Sequence, residues 1–92
     1  MKIKDTKVTT PHGLKARPLN YFFAKANDFP ETNIWLEKDG EDRRVNAKSM
    51  LGVISLSIAC GDTIKIIADG PKENEAIDAL ISLIESNFNV EA

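Results

Sequence analysis

The hexapeptide from Gly13 to Pro18 carries side chains that suit phosphate chemistry at the start of a helix. Gly13 permits a backbone turn with positive φ, and Pro18 fits the first helical turn, where its missing N–H is not needed. A helix N-terminus presents free N–H groups and positive partial charge, and the Arg17 guanidinium forms a fork that matches phosphate oxygens. This combination predicts an anion site, specifically a phosphate site, at Lys15, Ala16 and Arg17. The alternative is an ordinary helix start with an arginine at the surface.

A second candidate is Ser49, which stands directly before the apolar run Met50–Leu56. Serine is a favoured N-cap residue because its hydroxyl accepts a hydrogen bond from a free N–H of the first helical turn. A short helix is therefore predicted over this run, although Gly52 weakens it by about 1 kcal/mol relative to alanine.

The same run holds more apolar side chains than one face of a short helix can bury. Val53 and Leu56 are predicted to point inward, which leaves Met50, Leu51 and Ile54 with fewer places to be covered. One interpretation is an exposed apolar cluster that docks a partner. The other is that these three side chains cover the end of a sheet.

Two further residues could be reactive in isolation. His12 is the only histidine, and imidazole is suited to phosphoryl transfer near neutral pH, although the residue also fits an ordinary turn. Cys60 is the only cysteine, so it predicts no internal disulfide and is expected to pack as a small hydrophobic residue. One histidine and one cysteine form no ligand cluster, so we expect no metal and no cofactor.

The elements that must position these residues are predicted from hydrophobic periodicity and turn signals. Ile34 and Leu36 are expected on one face of their strand, with Trp35 on the other. The predicted strands cover 2–9, 34–36, 43–46 and 63–68, and the predicted helices cover 16–28, a short segment after Ser49, and a segment after Pro71. The order β-α-β-β-α-β-α favours an α+β fold with an antiparallel sheet covered by helices on one face.

Composition limits the classes of function. The 92 residues are expected to form a single domain, 1–92, and the net charge of −2 gives no electrostatic reason to bind nucleic acid. No apolar run approaches the length of about 20 residues that spans a bilayer, and the first residues lack the apolar segment of a signal peptide. We therefore expect a cytoplasmic protein without a membrane partner.

The hexapeptide resembles the active-site motif of the HPr family, Gly-(Leu/Ile)-His-(Ala/Thr)-Arg-Pro. These proteins are the small phosphocarriers of the bacterial phosphoenolpyruvate-dependent sugar phosphotransferase system. The segment Lys48–Leu56 is similar to the regulatory segment of HPr proteins from Gram-positive bacteria. Together the two motifs imply the HPr fold, an open-faced β-sandwich with a four-stranded antiparallel sheet and three helices.

The resemblance also implies roles for particular residues. Lys15 stands at the position of the phosphorylated histidine, and a lysine that is protonated at neutral pH has no free lone pair to accept phosphate. No catalytic residue is therefore predicted, and the protein is not expected to be an enzyme. Arg17 matches the arginine that supports the phosphate. The chain looks closer to the catabolite-repression HPr-like subgroup, called Crh, which lacks the histidine and keeps the serine.

For that subgroup the resemblance implies a regulatory adaptor. Its serine, matching Ser49, is phosphorylated from ATP by the HPr kinase/phosphorylase, and the phosphorylated form binds the transcription regulator catabolite control protein A. The positions expected to contact this partner are Arg17, Lys15, Met50, Leu51 and Ile54.

Other interpretations remain open at this point. The chain could be a phosphocarrier that moves a phosphoryl group from Enzyme I to sugar permease IIA components, with His12 or a degenerate site replacing the lost histidine. It could also be an HPr-derived domain with an unrelated partner. A lysine-rich first strand is typical of a sheet edge and allows a monomer or a weak or strand-exchanged homodimer.

Overall fold

A computed structural model of the chain describes residues 1–88 and contains seven elements in the predicted order. The strands are β1 Lys2–Lys7, β2 Asn33–Lys38, β3 Arg44–Asn46 and β4 Thr63–Asp69, and the helices are α1 Ala16–Asn27, α2 Met50–Ser55 and α3 Glu73–Glu85. The bounds differ from the predicted ones by a few residues at most, and the α+β class is confirmed.

The four strands form one antiparallel sheet in the order β1-β4-β2-β3, so β1 is an edge strand, as predicted. One face of this sheet contributes the buried residues Ile34, Leu36, Ile64, Ile66 and Ala68 to a single core cluster. The three helices supply the rest of that cluster. We call this the helix side of the sheet and the opposite surface the open face.

α1 and α3 bury the apolar stripes that the helical spacing predicts. On α1 this spacing predicts a buried stripe of Leu19, Phe22, Phe23 and Ala26. Leu19, Phe22 and Ala26 are buried, whereas Phe23 is only half-buried. Phe23 lies at the margin of the stripe, because a 3.6-residue period rotates it about 100° away from Phe22. For α3 the spacing predicts a long inward stripe, and all of its members are buried: Ile77, Leu80, Ile81, Ile84 and, just beyond the helix, Phe88.

The prediction for Cys60 is wrong. Its side chain is exposed, with the thiol at 3.7 Å from the carbonyl oxygen of Thr9. The tight turn that precedes β4 presents Cys60 outward, while Ile58 two residues earlier is buried. Within residues 1–88, no helix is both long enough and apolar enough to cross a membrane.

Candidate functional site

The loop before α1 is held in place by Gly13. This residue has φ +70, and its N–H donates to the carbonyl of Thr10 at 2.9 Å. An added Cβ would meet the carbonyl oxygen of Ile58 at 2.4 Å and Ala59 Cα at 2.6 Å. Leu14 then donates its N–H to the same Ile58 carbonyl at 3.0 Å. Gly13 is therefore required both for the turn and for the close approach of this loop to the segment after α2.

The first turn of α1 carries positive charge and no compensating acid. Lys15 is the N-cap residue, but its side chain makes no capping hydrogen bond, and no acidic residue lies in the first turn. Ala16 has φ +52, a left-handed conformation that costs a non-glycine residue about 1 kcal/mol. Lys15, Ala16 and Arg17 are all exposed. The predicted anion-binding residues thus lie together at an open helix end with two cations.

Ser49 is the N-cap of α2, as predicted. Its backbone is extended, and its hydroxyl oxygen accepts a hydrogen bond from the Gly52 N–H at 3.2 Å. A Cβ on Gly52 would lie 3.3 Å from this hydroxyl oxygen and 3.4 Å from the Val45 side chain. Gly52, which weakens the helix intrinsically, therefore leaves room for the half-buried Ser49 side chain.

The predicted apolar cluster on α2 is only partly exposed. Leu51 is 80% exposed and Ile54 is 49% exposed, but Met50 is half-buried and packs against the core. The prediction that Met50 belongs to the exposed cluster is therefore corrected. Its position at the very start of α2 turns its side chain back towards the core.

A groove of about 310 Å³ lies between the start of α1 and the C-terminal end of α2. It is lined by Leu14, Lys15, Ala16 and Leu19 from the α1 side and by Ile54 and Ser57 from the α2 side. The structure therefore brings Lys15, of the predicted partner-binding residues, next to Ile54. Arg17 and Leu51 are exposed but do not line this groove. The result is a mainly apolar depression with a cation at its rim.

The C-terminal end of α2 is held by two cations that the sequence analysis did not identify. The Arg43 guanidinium donates to the Ser55 carbonyl at 2.7 Å, and the Lys38 ammonium donates to the carbonyls of Leu56 and Ser57 at 3.2 Å. α2 has no basic residue in its own last turn, so the β2–β3 hairpin supplies the charge that favours this end of the helix.

Lys38 also connects this end of α2 to the turn before β4. Its ammonium group lies 3.4 Å from the carboxylate of Asp62. The Ala59 backbone N–H donates to that carboxylate at 2.7 Å, and this bond, aided by Lys38, lowers the pKa of Asp62 below its ordinary value of 3.8. Asp62 thus helps to fix the segment on which Gly13 packs.

The ammonium group of Lys48, the neighbour of Ser49, binds backbone carbonyls away from Ser49. Its ammonium group donates to the carbonyls of Phe29 at 2.5 Å and Thr32 at 2.6 Å, in the connection between α1 and β2. These contacts anchor the chain just before the N-cap. They also direct the positive charge of Lys48 towards backbone carbonyls.

His12 lies exposed in the turn that Gly13 closes. The part of the chain that the structure describes contains no group of three or more His, Cys, Asp or Glu residues that could hold a metal ion.

The sequence matches the family model described as "PTS HPr component phosphorylation site" over residues 3–86. The chain belongs to this family of HPr components of the phosphotransferase system, whose phosphocarrier proteins are not catalysts.

Within the family, the chain is similar to an HPr-like protein Crh from Halalkalibacterium halodurans. The two are 46% identical over 82 residues, which cover 89% of this chain and 94% of the relative. The fold is similar to the crystal structure of HPr-C-His from Thermoanaerobacter tengcongensis, with a TM-score of 0.92, 42% identity and full coverage of both chains. A crystal structure of Bacillus subtilis Crh, described as a dimer with a swapping domain, has a TM-score of 0.70, 38% identity and coverage of 89% and 91%.

Proposed function

We propose that this protein is a regulatory adaptor that is switched by phosphorylation of Ser49. An ATP-dependent HPr kinase/phosphorylase would add the phosphoryl group, and the product would bind a transcription regulator of the catabolite control protein A type. The observation that carries this proposal is the position of the Ser49 hydroxyl, half-buried at the start of α2 and adjacent to the exposed Leu51. The similarity to HPr-like proteins named Crh supports the same interpretation.

The charges around Ser49 favour a phosphate that stays accessible to a binding partner. A phosphoserine carries about −1.5 to −2 charges, which are favoured at a helix N-terminus. Lys48 is occupied by the carbonyls of Phe29 and Thr32, so the adjacent cation is already committed within the chain. The new charge would therefore remain available to basic side chains of a partner.

Apolar contacts would add to this charge. Leu51 and Ile54 together form an exposed apolar pair on α2, and the groove next to Ile54 reaches Lys15. A partner that covers this surface would meet the phosphate, the apolar pair and the exposed cations of the α1 start in one footprint. Recognition would then depend on charge and buried area together.

Phosphorylation by the kinase with ATP, measured by intact mass and site mapping, tests the proposal. We expect the chain to gain one acid-stable phosphoryl group on Ser49. Ser49→Asn retains a favoured N-cap residue but has no hydroxyl, so it should fold normally and gain nothing. Ser55→Ala, which removes the exposed hydroxyl at the C-terminal end of α2, should still be phosphorylated. Phosphorylation of Ser49→Asn, or none of the unmodified chain, would contradict the proposal.

A second candidate function is phosphoryl transfer from Enzyme I to permease IIA components. The exposure of His12 in the turn before the cationic start of α1 favours it. The test is incubation with phosphoenolpyruvate and Enzyme I, followed by a search for acid-labile phosphate. If the site is His12, His12→Gln should abolish that signal and leave phosphorylation of Ser49 unchanged. Because Lys15 replaces the family's histidine, we expect no acid-labile phosphate on the unmodified chain.

A further inference from the structure

The open face of the sheet carries apolar surface that the core does not use. On β1, Lys2 and Lys4 pair with the helix-side residues of β4, so the alternating Ile3 points to the open face, where it is 52% exposed. In register with it lie Ile67, which is fully buried yet outside the core cluster, and the half-buried Trp35. An edge strand that directs its large apolar side chain away from its own core is unusual for a surface exposed only to water.

The next row on this face alternates in charge across all four strands. The register places Asp5 of β1, Lys65 of β4, Glu37 of β2 and Arg44 of β3 side by side, which gives the order −, +, −, +. Arg44 pairs with Glu37 at 3.0 Å and lies 5.7 Å from the centre of the Trp35 ring. Among residues 1–88, Lys65 forms no ion pair with either neighbour in its row.

We propose that the open face is a self-association surface for a second copy of this chain. A two-fold axis in the plane of the interface and parallel to the strands reverses the order of the strands but keeps each row opposite itself. The row −, +, −, + then faces +, −, +, −. Asp5 meets Arg44 of the second copy, and Lys65 meets Glu37 of the second copy, so all four charges find opposite partners. In the adjacent row, Ile67 meets Trp35 of the second copy and Ile3 meets its Asn46, as in two packed sheets about 10 Å apart.

The charge order selects this occupant among the alternatives. The row has no net charge, so it gives no attraction to nucleic acid or to a membrane surface. Its alternating order complements its own reversed copy, which is the requirement of an isologous two-fold interface. An unrelated partner would have to present the same alternating row independently.

The size of the face predicts a weak complex. The strands β1, β2, β3 and β4 have six, six, three and seven residues, and at a spacing of about 4.8 Å they give a face of roughly 350 Å² per copy. The total buried area of roughly 700 Å² lies below the range of about 1,200–2,000 Å² of stable complexes, so association should require high concentration. The helix side stays uncovered, and a dimer would present two Ser49 sites outward. Self-association through the open face would therefore not depend on phosphorylation of Ser49.

Sedimentation equilibrium across a concentration series up to about 2 mM, a range suited to weak complexes, tests the proposal with matched charge reversals. The unmodified chain should dimerise reversibly. Lys65→Glu places two glutamates opposite each other at both central contacts, and Glu37→Lys places two lysines there, so each variant alone should associate about tenfold more weakly or not at all. An equimolar mixture of the two variants restores every opposite pair and should associate at least as well as the unmodified chain.

Other outcomes identify a different interface and overturn the proposal. A monomer at all concentrations, or a mixture that associates no better than the separate variants, rules out the charge-matched face. If both charge reversals leave association unchanged but Leu51→Ser abolishes it, the interface lies on the helix side. If none of these three substitutions weakens association, the dimer forms by strand exchange. Circular dichroism checks the fold of each variant. If a reversal does not fold, Lys65→Gln and Glu37→Gln replace the pair, and each should weaken association severalfold by removing both central contacts.

Discussion

The N-terminal ends of α1 and α2 differ in how their free N–H groups are satisfied. α1 begins at an N-cap lysine whose side chain makes no cap, with the left-handed Ala16 next and no acid in the first turn. α2 begins at Ser49, whose hydroxyl accepts the Gly52 N–H at 3.2 Å. The first start is open to an external anion, whereas the second is closed by the side chain that would be modified. The α1 start therefore has the free N–H groups and the cations that suit an anion, while the proposed switch lies on α2.

The largest loss of stability should come from substituting Gly13, which positions the start of α1. Gly13→Ala would drive a Cβ into Ile58 and Ala59, besides requiring φ +70, so we expect a loss of about 3 kcal/mol in the free energy of unfolding. Gly40→Ala is the matched control, because Gly40 has φ +90 and no atom within 4 Å of the added Cβ. It should cost only about 1–2 kcal/mol. Urea denaturation measures both, and equal losses would mean that Gly13 matters for its conformation alone.

Loss of the Ser49 cap at the start of α2 should lower the stability of the protein. Ser49→Ala removes the hydroxyl that accepts the Gly52 N–H and should lower the free energy of unfolding by about 1 kcal/mol. Ser49→Asn should change it by only a few tenths, since asparagine caps about as well as serine. Thermal and urea unfolding of the two variants provide the comparison. If alanine and asparagine behave alike, the cap does not stabilise α2.

At the start of α1, a glycine in place of Ala16 should not destabilise the protein, unlike a glycine inside the helix. Ala16→Gly relieves a left-handed φ of +52 and should leave stability unchanged or raise it by about 0.5 kcal/mol. Ala24→Gly, at an exposed position inside α1, should instead lower it by about 1 kcal/mol. Urea denaturation decides between them. A clear loss of stability in Ala16→Gly would argue against backbone strain at this helix start.

The smallest effect concerns how the free energy of unfolding falls at acid pH. Because the Ala59 N–H and Lys38 lower the pKa of Asp62, its contribution is present above its ordinary value of 3.8 and is lost as pH falls through the lower folded value. Asp62→Asn should therefore narrow the difference in stability between neutral pH and pH below 3.8. Asp42→Asn, at the exposed hairpin tip, should not. Urea unfolding midpoints measured from neutral pH to below pH 3.8 test this prediction. If Asp62→Asn loses as much stability at acid pH as the unmodified chain, Asp62 does not contribute as described.

The fold and the Ser49 cap could be predicted from the sequence because their signals are local. Ser49 precedes an apolar run, and Gly13 and Pro18 mark a turn into a helix within six residues. The element order then followed from alternation and periodicity. Such signals depend on neighbours in the chain, which a single sequence displays directly.

The contacts that hold the site together were missed because they join distant residues. Arg43 reaches Ser55 over 12 positions, and Lys38 reaches Ser57 over 19. The absence of a cation in the last turn of α2, together with a cation-rich hairpin, was the available signal. Cys60 was misjudged for a related reason: its residue type favours burial, but the turn before β4 fixes its exposure.

The central claim is that phosphate on Ser49 switches partner binding. The most direct measurement is isothermal titration of a catabolite control protein A-type regulator with the purified Ser49-phosphorylated chain and with the unmodified chain. The account predicts at least about tenfold tighter binding of the phosphorylated form, from new charge-assisted hydrogen bonds. Equal affinity of the two forms, with phosphorylation of Ser49 verified by mass, would contradict it.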